Sequence, residues 1–255
     1  MLHSGKVETK IEEGIATITF FHPQSNSLPS VLLQELANSI ISAGNNTDAK
    51  VIILQSEGEK VFCSGASFDE LASINNIEDG KKFFSGFASV LNAMRKAPKF
   101  IITRAQGKVV GGGVGIASAA DYVFAHESAS VKLSELSIAI GPFVVGPAVE
   151  RKIGFAAFSQ LAINATEWHS AQWAKEKGLF ANVFSSREEL DNAVQILAEK
   201  LSKSNPEAMM LMKKMFWKGL EDWDTLLTER AEISGRLVLS DFAKRAIAKF
   251  KAERK

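Results

Sequence analysis

The sequence predicts an α/β fold in which a core of alternating strands and helices is followed by a wholly helical end. Three observations carry that expectation. Short, nearly continuous apolar runs recur, as in strands covered on both faces; stretches of helical periodicity separate them; and no strand pattern returns beyond Ser185.

In chain order, Val7 to Phe21 reads as a hairpin around Glu12-Glu13-Gly14, with Ile15, Thr17 and Thr19 supplying the β-branched side chains that strands favour. After a polar loop from His22 to Ser27, the stretch Leu28 to Ala43 places Leu32, Leu33, Leu36, Ile40 and Ile41 at helical spacing. Lys50 to Gln55 (KVIILQ) and Lys99 to Arg104 (KFIITR) read as buried strands, with a helix from Glu78 to Lys96 between them. Val114 to Ala120 is a helical stretch of small residues. Tyr122 to His126 and Leu179 to Phe184 supply further strands, and Ser170 to Lys177 a further helix. This alternation argues for stacked βαβ units. Glu188 to Ser204, Pro206 to Lys218, Trp223 to Leu239 and Phe242 to Arg254 then read as helices. Asn205-Pro206 and Ser240-Asp241 are natural helix starts, because Pro suits the first turn and Asn, Ser or Asp can cap free amides. The division expected is an α/β core over 1–190 and a helical region over 191–255, packed on the core or on a neighbouring subunit.

Lys plus Arg number 30 against 29 for Asp plus Glu, and a net charge of +1 offers no global attraction for nucleic acid or an anionic membrane. No apolar run reaches the ~18 to 20 residues that span a bilayer. The single cysteine, Cys63, cannot make an internal disulfide, and the N-terminus lacks the succession of a secretory signal, so a reducing, cytoplasmic setting is expected. His3, His22, His126 and His169 are scattered without metal-ligand spacing, and no metal is expected. Cys63 has no His or Asp at a supporting spacing and reads as a small buried residue rather than a nucleophile.

Gly111, Gly112 and Gly113 lie between a strand and a helix. First-turn amides of a helix lack internal partners, and the macrodipole places partial positive charge there, so an anion or developing oxyanion is favoured. A tight turn with close helix packing is the bland alternative. A dinucleotide fingerprint would need a third glycine where Ile116 stands, and no Lys and Ser or Thr follow the run as a Walker loop requires.

Ile102 to Asp121 (ITRAQGKVVGGGVGIASAAD) resembles the signature of the enoyl-CoA hydratase/isomerase family, the crotonase superfamily. Lys60 to Ala66 (KVFCSGA) is similar to that family's K-x-F-x-x-G-x segment, and Thr166 to Leu179 (TEWHSAQWAKEKGL) to its T-x-x-x-S-A-x-x-A-x-x-x-G-L helix. The tail from Glu229 to Lys255 shares the family's style of ending. The resemblance implies a crotonase-like spiral of ββα units with a helical C-terminal oligomerisation region, assembled as a homotrimer or hexamer. It also implies an acyl-CoA thioester substrate, with coenzyme A arriving as part of the substrate and no separate cofactor. The backbone amides of Ala66 and Gly112 would bind the thioester oxygen, and Gly65, Gly111 and Gly113 would line the substrate site. Charge develops on that oxygen when a proton leaves beside the thioester or a nucleophile adds to a conjugated alkene, and two fixed donors stabilise it.

In the family's hydratases two glutamates flank the alkene, and the matching positions here are Gly115, which has no side chain, and Glu135, in Val131 to Pro142 (VKLSELSIAIGP). Two carboxylates help to orient one water, whereas one suffices to shuttle a proton between C2 and C4. The resemblance therefore ranks isomerisation of a 3-enoyl-CoA to the 2-enoyl form first. Hydration of a 2-enoyl-CoA, in fatty-acid or amino-acid degradation, comes second, and a non-catalytic CoA- or RNA-binding protein third. Gly141-Pro142-Phe143 is also closer to the isomerase form. Without the match, Glu135 would read as a surface or capping carboxylate. The neighbouring Leu133, Leu136 and Ile138 suggest a poorly hydrated pocket, which would raise its pKa towards neutrality. Asp69 or Glu70 are the candidates for restoring a second carboxylate, and Ser67 stands where many members carry Asp. Lys244, Arg245, Lys249, Lys251, Arg254 and Lys255 read as a solvated helix face or as an attraction for CoA phosphates. Phe216, Trp217 and Trp223 read as core or subunit contacts.

Overall fold

Residues 5–252 are described by a computed structural model; His3, Arg254 and Lys255 lie outside the described residues. Glu13 and Gly14 turn the chain at φ of 50° and 81°. Such a two-residue turn matches the twist of a hairpin, so strands β1 (Lys6–Glu12) and β2 (Ile15–Phe21) pair antiparallel with Glu12 opposite Ile15. The chain continues through helix α1 (Ser30–Asn45), which starts after Pro29.

The following strands are β3 (Val51–Ser56), β4 (Val61–Cys63), β5 (Ile101–Ala105), β6 (Lys108–Val110), β7 (Tyr122–His126), β8 (Ser130–Lys132), β9 (His169–Ser170) and β10 (Asn182–Phe184). They sort into two sheets. One has the order β1-β2-β3-β5-β7-β10, parallel from β2 onward; the other has the order β4-β6-β8-β9, parallel except between β8 and β9. Successive strands thus alternate between sheets before each helix: β3 and β4 precede α2 (Phe68–Ser73) and α3 (Ile77–Lys96), β5 and β6 precede α4 (Gly112–Ala119), and β7 and β8 precede α5 (Gly146–Ile163). This is a ββα spiral, and the expectation of simple βαβ units missed its second sheet. Strands of two or three residues are too short for a period-two pattern to register.

Leu179 and Phe180 are also not strand. Both amides bond to Ala174 O, at 2.9 and 3.2 Å, closing helix α6 (Ala171–Glu176). Helix α5 carried no readable stripe, since it is kinked at Gly154, where φ is 76°.

The strands of the larger sheet are covered on both faces. Ile15, Val51, Ile53, Ile102 and Phe124 pack under Leu190, Val194 and Ala198 of helix α7 (Arg187–Ser202), while Ile52, Leu54 and Ile101 face the main core. Position 190 therefore lies inside a helix that roofs the sheet. Helices α8 (Pro206–Phe216), α9 (Trp223–Leu237) and α10 (Asp241–Ala252) complete the helical end. Asn205 Oδ1 caps α8 through the amides of Glu207 and Ala208, and Ser240 Oγ accepts from Ala243 N. Trp217 and Trp223 are buried edge to face at 5.3 Å, whereas Phe216 stays partly exposed against Phe100. Among the described residues no helix is long and apolar enough to cross a membrane.

Candidate active site

The smaller sheet delivers the site. Beyond β4 the chain turns at Gly65, whose φ of 85° suits glycine. Leu28 N donates to Gly65 O at 2.8 Å, and Ser67 N donates to Leu28 O at 3.3 Å. Because successive peptide groups of an extended segment face opposite ways, the amide of Ala66 points to the other side, where no described residue accepts from it. Beyond β6, Gly111 donates to Lys132 O at 2.9 Å, and α4 begins at Gly112. The Gly112 amide is one of the free donors of a helix start and likewise has no acceptor among the described residues. A Cβ on Gly65 would lie 3.2 Å from Gly112 N, so the two loops meet at these two amides. The result is an anion-favouring corner at a helix N-terminus.

All of α4 is buried. A Cβ at Gly112 would fall 2.2 Å from the Phe87 ring, and one at Gly113 would fall 2.7 Å from Cys63 O, so the helix seats only without side chains there. Its far end is held by charge. Lys152 Nζ donates to Ala120 O at 2.9 Å and to Asp121 O at 3.3 Å, and burial pulls its pKa down to about 8. The buried pair of Lys213 and Asp121, at 2.9 Å, ties α8 to the same corner.

Glu135 follows β8 and opens a single 3₁₀ turn, Glu135–Ile138, closed by Ile140 N donating to Glu135 O at 3.1 Å. Its Oε1 lies 3.4 Å from the point where a Gly111 Cβ would stand, and Ser134 Oγ lies equally close. The residue keeps partial exposure, yet Oε2 is buried without a hydrogen-bond partner. Burial lifts the carboxyl pKa from the ordinary 4.5 to about 7, and its own backbone amide offsets only part of that rise. Glu135 and both amides line one cavity, walled by Leu71, Phe84, Phe87, Ile140 and Val145. Glu135 is the one ionisable side chain among its lining residues.

The model of the family described as enoyl-CoA hydratase/isomerase matches residues 10–255. The chain belongs to the enoyl-CoA hydratase/isomerase family. It is 30% identical over 247 residues to the short-chain-enoyl-CoA hydratase of Clostridium acetobutylicum, covering 96% of this chain and 94% of that protein. It is 28% identical over 211 residues to the peroxisomal Delta(3,5)-Delta(2,4)-dienoyl-CoA isomerase of Arabidopsis thaliana, covering 77% and 74%. In three dimensions it resembles the enoyl-CoA hydratase of Bacillus halodurans with a TM-score of 0.88 at 22% identity, over 95% of this chain and 99% of that one. The fold is therefore that of the crotonase superfamily, and the enzyme is an enoyl-CoA isomerase or hydratase.

Within that family frame, position 115 is filled from outside. A Cβ on Gly115 would fall 2.5 Å from Val145 Cγ1, so Val145 occupies the space a side chain at 115 would enter. Neither Asp69 nor Glu70 restores a second carboxylate, contrary to the possibility read from the sequence. Glu70 Oε2 accepts from Ser30 N and Oγ at 2.8 and 2.9 Å, and Asp69 accepts from Gln24 Nε2 at 3.0 Å and pairs with Lys251 at 3.5 Å. Both lie outside the cavity, because the turn that starts α2 directs them towards α1 and α10. Ser67 caps that turn, its Oγ accepting from Glu70 N.

Leu136 does not wall the pocket; it is half-exposed, while Ile138 lines the cavity and Leu133 is buried. Cys63 is buried with its thiol pushed up to about 12, and its Sγ accepts from Gly65 N at 3.4 Å, so it supports the loop as an un-ionised thiol. Among the described residues no group of three His, Cys, Asp or Glu is placed to hold a metal ion. A second cavity shares Ser64, Ala66 and Phe68 with the first and opens outward past Phe250 and Lys251 of α10. Phe87, Val145 and Ser234 line the inner cavity but carried no sequence signal, because each reaches it only through tertiary packing.

Proposed function

We propose that this enzyme shifts the double bond of a 3-enoyl-CoA to the 2-position, with Glu135 as the proton shuttle. The observation that carries this reading is the solitary carboxyl: Glu135 faces an apolar cavity beside two unpartnered amides, and Val145 fills the side from which a second carboxylate would enter. The amides of Ala66 and Gly112 hold the thioester oxygen, with Gly65 and Gly111 lining the space around it; Gly113, expected from the sequence to join them, lies outside the cavity lining and instead lets α4 seat against Cys63. Glu135, ionised, takes a proton from C2; the electron pair spreads over the dienolate and the thioester oxygen; the same carboxyl returns the proton at C4. Carbon and hydrogen balance without water. A carboxyl with a pKa of about 7 suits both halves of that cycle, since it is neither wholly ionised nor wholly protonated at neutral pH. Losing one oxyanion donor typically removes ~3 kcal/mol of barrier stabilisation.

The outer cavity at Phe250 and Lys251 is the place for the CoA portion, with the Lys251 ammonium towards phosphate. Assembly as a homotrimer or hexamer belongs to the same reading, supported by the exposed Phe155 and Ile163 of α5. Hydration of a 2-enoyl-CoA is the second reading, favoured by the 30% identity to the Clostridium acetobutylicum hydratase.

The test supplies 3-enoyl-CoA and 2-enoyl-CoA in turn to the wild type and to Glu135→Gln. Isomerisation should dominate in the wild type and fall by roughly 10²- to 10⁴-fold in the variant. Faster water addition than isomerisation would overturn the assignment.

A further inference from the structure

Proton shuttling leaves three serines of the cavity unused, Ser64, Ser134 and Ser234, and of these Ser234 is the buried one. Ser234, on α9, lines the cavity wall although only 1% of its surface is exposed, and its Oγ has no hydrogen-bond partner among the described residues. A buried hydroxyl without a partner is unfavourable, so its place needs a reason.

Helix crossing fixes that place. A Cβ on Gly80 would fall 2.8 Å from Gly235 Cα, so α3 and α9 touch backbone to backbone one residue from Ser234. Lys81 pairs with Glu232 at 3.1 Å near one end of the contact and Arg95 with Asp224 at 3.1 Å near the other, which sets the two helices antiparallel. From the level of Ser234 the α3 face runs through Phe84 to Phe87, the ring that lies against Gly112. Gly80 and Phe87 are two turns apart, roughly 10 Å along the axis. The Ser234 hydroxyl thus stands about one to two turns from the oxyanion corner, beyond the apolar walls of Phe84, Phe87 and Leu71.

Resting on the acyl-CoA reading above, we propose that Ser234 determines specificity, giving the cavity a preference for acyl groups that carry a hydroxyl or carbonyl oxygen several carbons beyond the thioester. A plain hydrocarbon chain leaves the hydroxyl unpaired, whereas an oxygenated chain of the right length pairs with it. Sites built to hydrogen-bond a substrate group discriminate against the analogue that lacks it.

Calorimetric titration with saturated medium-chain acyl-CoAs, which the isomerase does not turn over, separates this inference from the reading beneath it. The probes are a plain chain and analogues with one hydroxyl moved stepwise along it. One position should bind roughly five-fold more tightly than the plain chain to the wild type, as expected for a single neutral hydrogen bond. In Ser234→Ala that advantage should vanish while the plain chain binds no more weakly. Equal affinities at every hydroxyl position, or a preference that survives in Ser234→Ala, would overturn the inference and leave acyl-CoA binding intact. Failure of every acyl-CoA to bind would overturn both.

Discussion

Replacing Glu135 by Gln should stabilise the fold above neutral pH at the expense of activity. The folded carboxyl titrates at about 7 and the unfolded one at its ordinary 4.5. Between those values the folded protein keeps a proton that the unfolded chain has already released. Stability from this group is therefore complete below pH 4.5, declines as pH rises towards 7, and stays level above that, where both states are ionised. At 1.36 kcal/mol per pH unit, the interval from 4.5 to 7 corresponds to about 3 kcal/mol. Gln carries no charge at any of these pH values and escapes the decline. Oε2 has no partner in the folded protein, so the polar desolvation common to acid and amide is independent of pH and drops out of the comparison. The assay is urea unfolding of both proteins at one protein concentration, from about pH 4 to about pH 9, with only the difference in unfolding free energy followed. That difference should move in favour of Glu135→Gln by about 3 kcal/mol and then level off. A difference that stays flat across the range would refute the claim that burial, rather than some solvated contact, sets the acidity of this group.

Three further outcomes follow from the same geometry. Gly65→Ala forces a side chain onto a backbone at φ 85° and places a methyl 3.2 Å from Gly112 N, so kcat should fall by roughly 10²- to 10³-fold in a steady-state isomerase assay. Gly115→Glu alone should destabilise the fold by about 1–3 kcal/mol in urea, because its Cβ meets Val145. Combined with Val145→Gly it should admit a second carboxylate and raise hydration of 2-enoyl-CoA, followed as loss of the conjugated alkene's absorbance. Lys213→Met strands Asp121 in the interior and should lower unfolding free energy by about 3–5 kcal/mol, with Asp121→Asn restoring part of the loss in the double variant.

The elements legible in the sequence were those long enough to repeat a pattern. KVIILQ and KFIITR gave β3 and β5 because a strand covered on both faces shows as an unbroken apolar run, and Pro206 and Asn205 marked the start of α8 through plain capping chemistry. The smaller sheet escaped because its strands contain two or three residues each, although it carries the site. Gly112 and Glu135, which line one cavity, were both singled out through the family motif, since a glycine run before a helix serves equally well as a tight turn. Ser234 and Val145 could not be found in this way. Their importance comes from a backbone contact between α3 and α9 and from a space left by glycine at 115, neither of which has a local signature. Asp69 and Glu70 looked suitable by charge and proximity in sequence, but a single capped turn at Ser67 points them outward.

A fully buried α4, pinned at its far end by Lys152 and the Lys213–Asp121 pair, has a consequence for how such an enzyme can diverge. The corner that would receive the thioester oxygen is made of main chain, the amides of Ala66 and Gly112. On the proposed reading, substitutions at 115, 135 or 145 would exchange one proton-transfer chemistry for another while the amides of Ala66 and Gly112 stay in place. A scaffold of this kind separates two design problems: one part of the chain fixes where negative charge is tolerated, and a few replaceable side chains decide where the hydrogen goes.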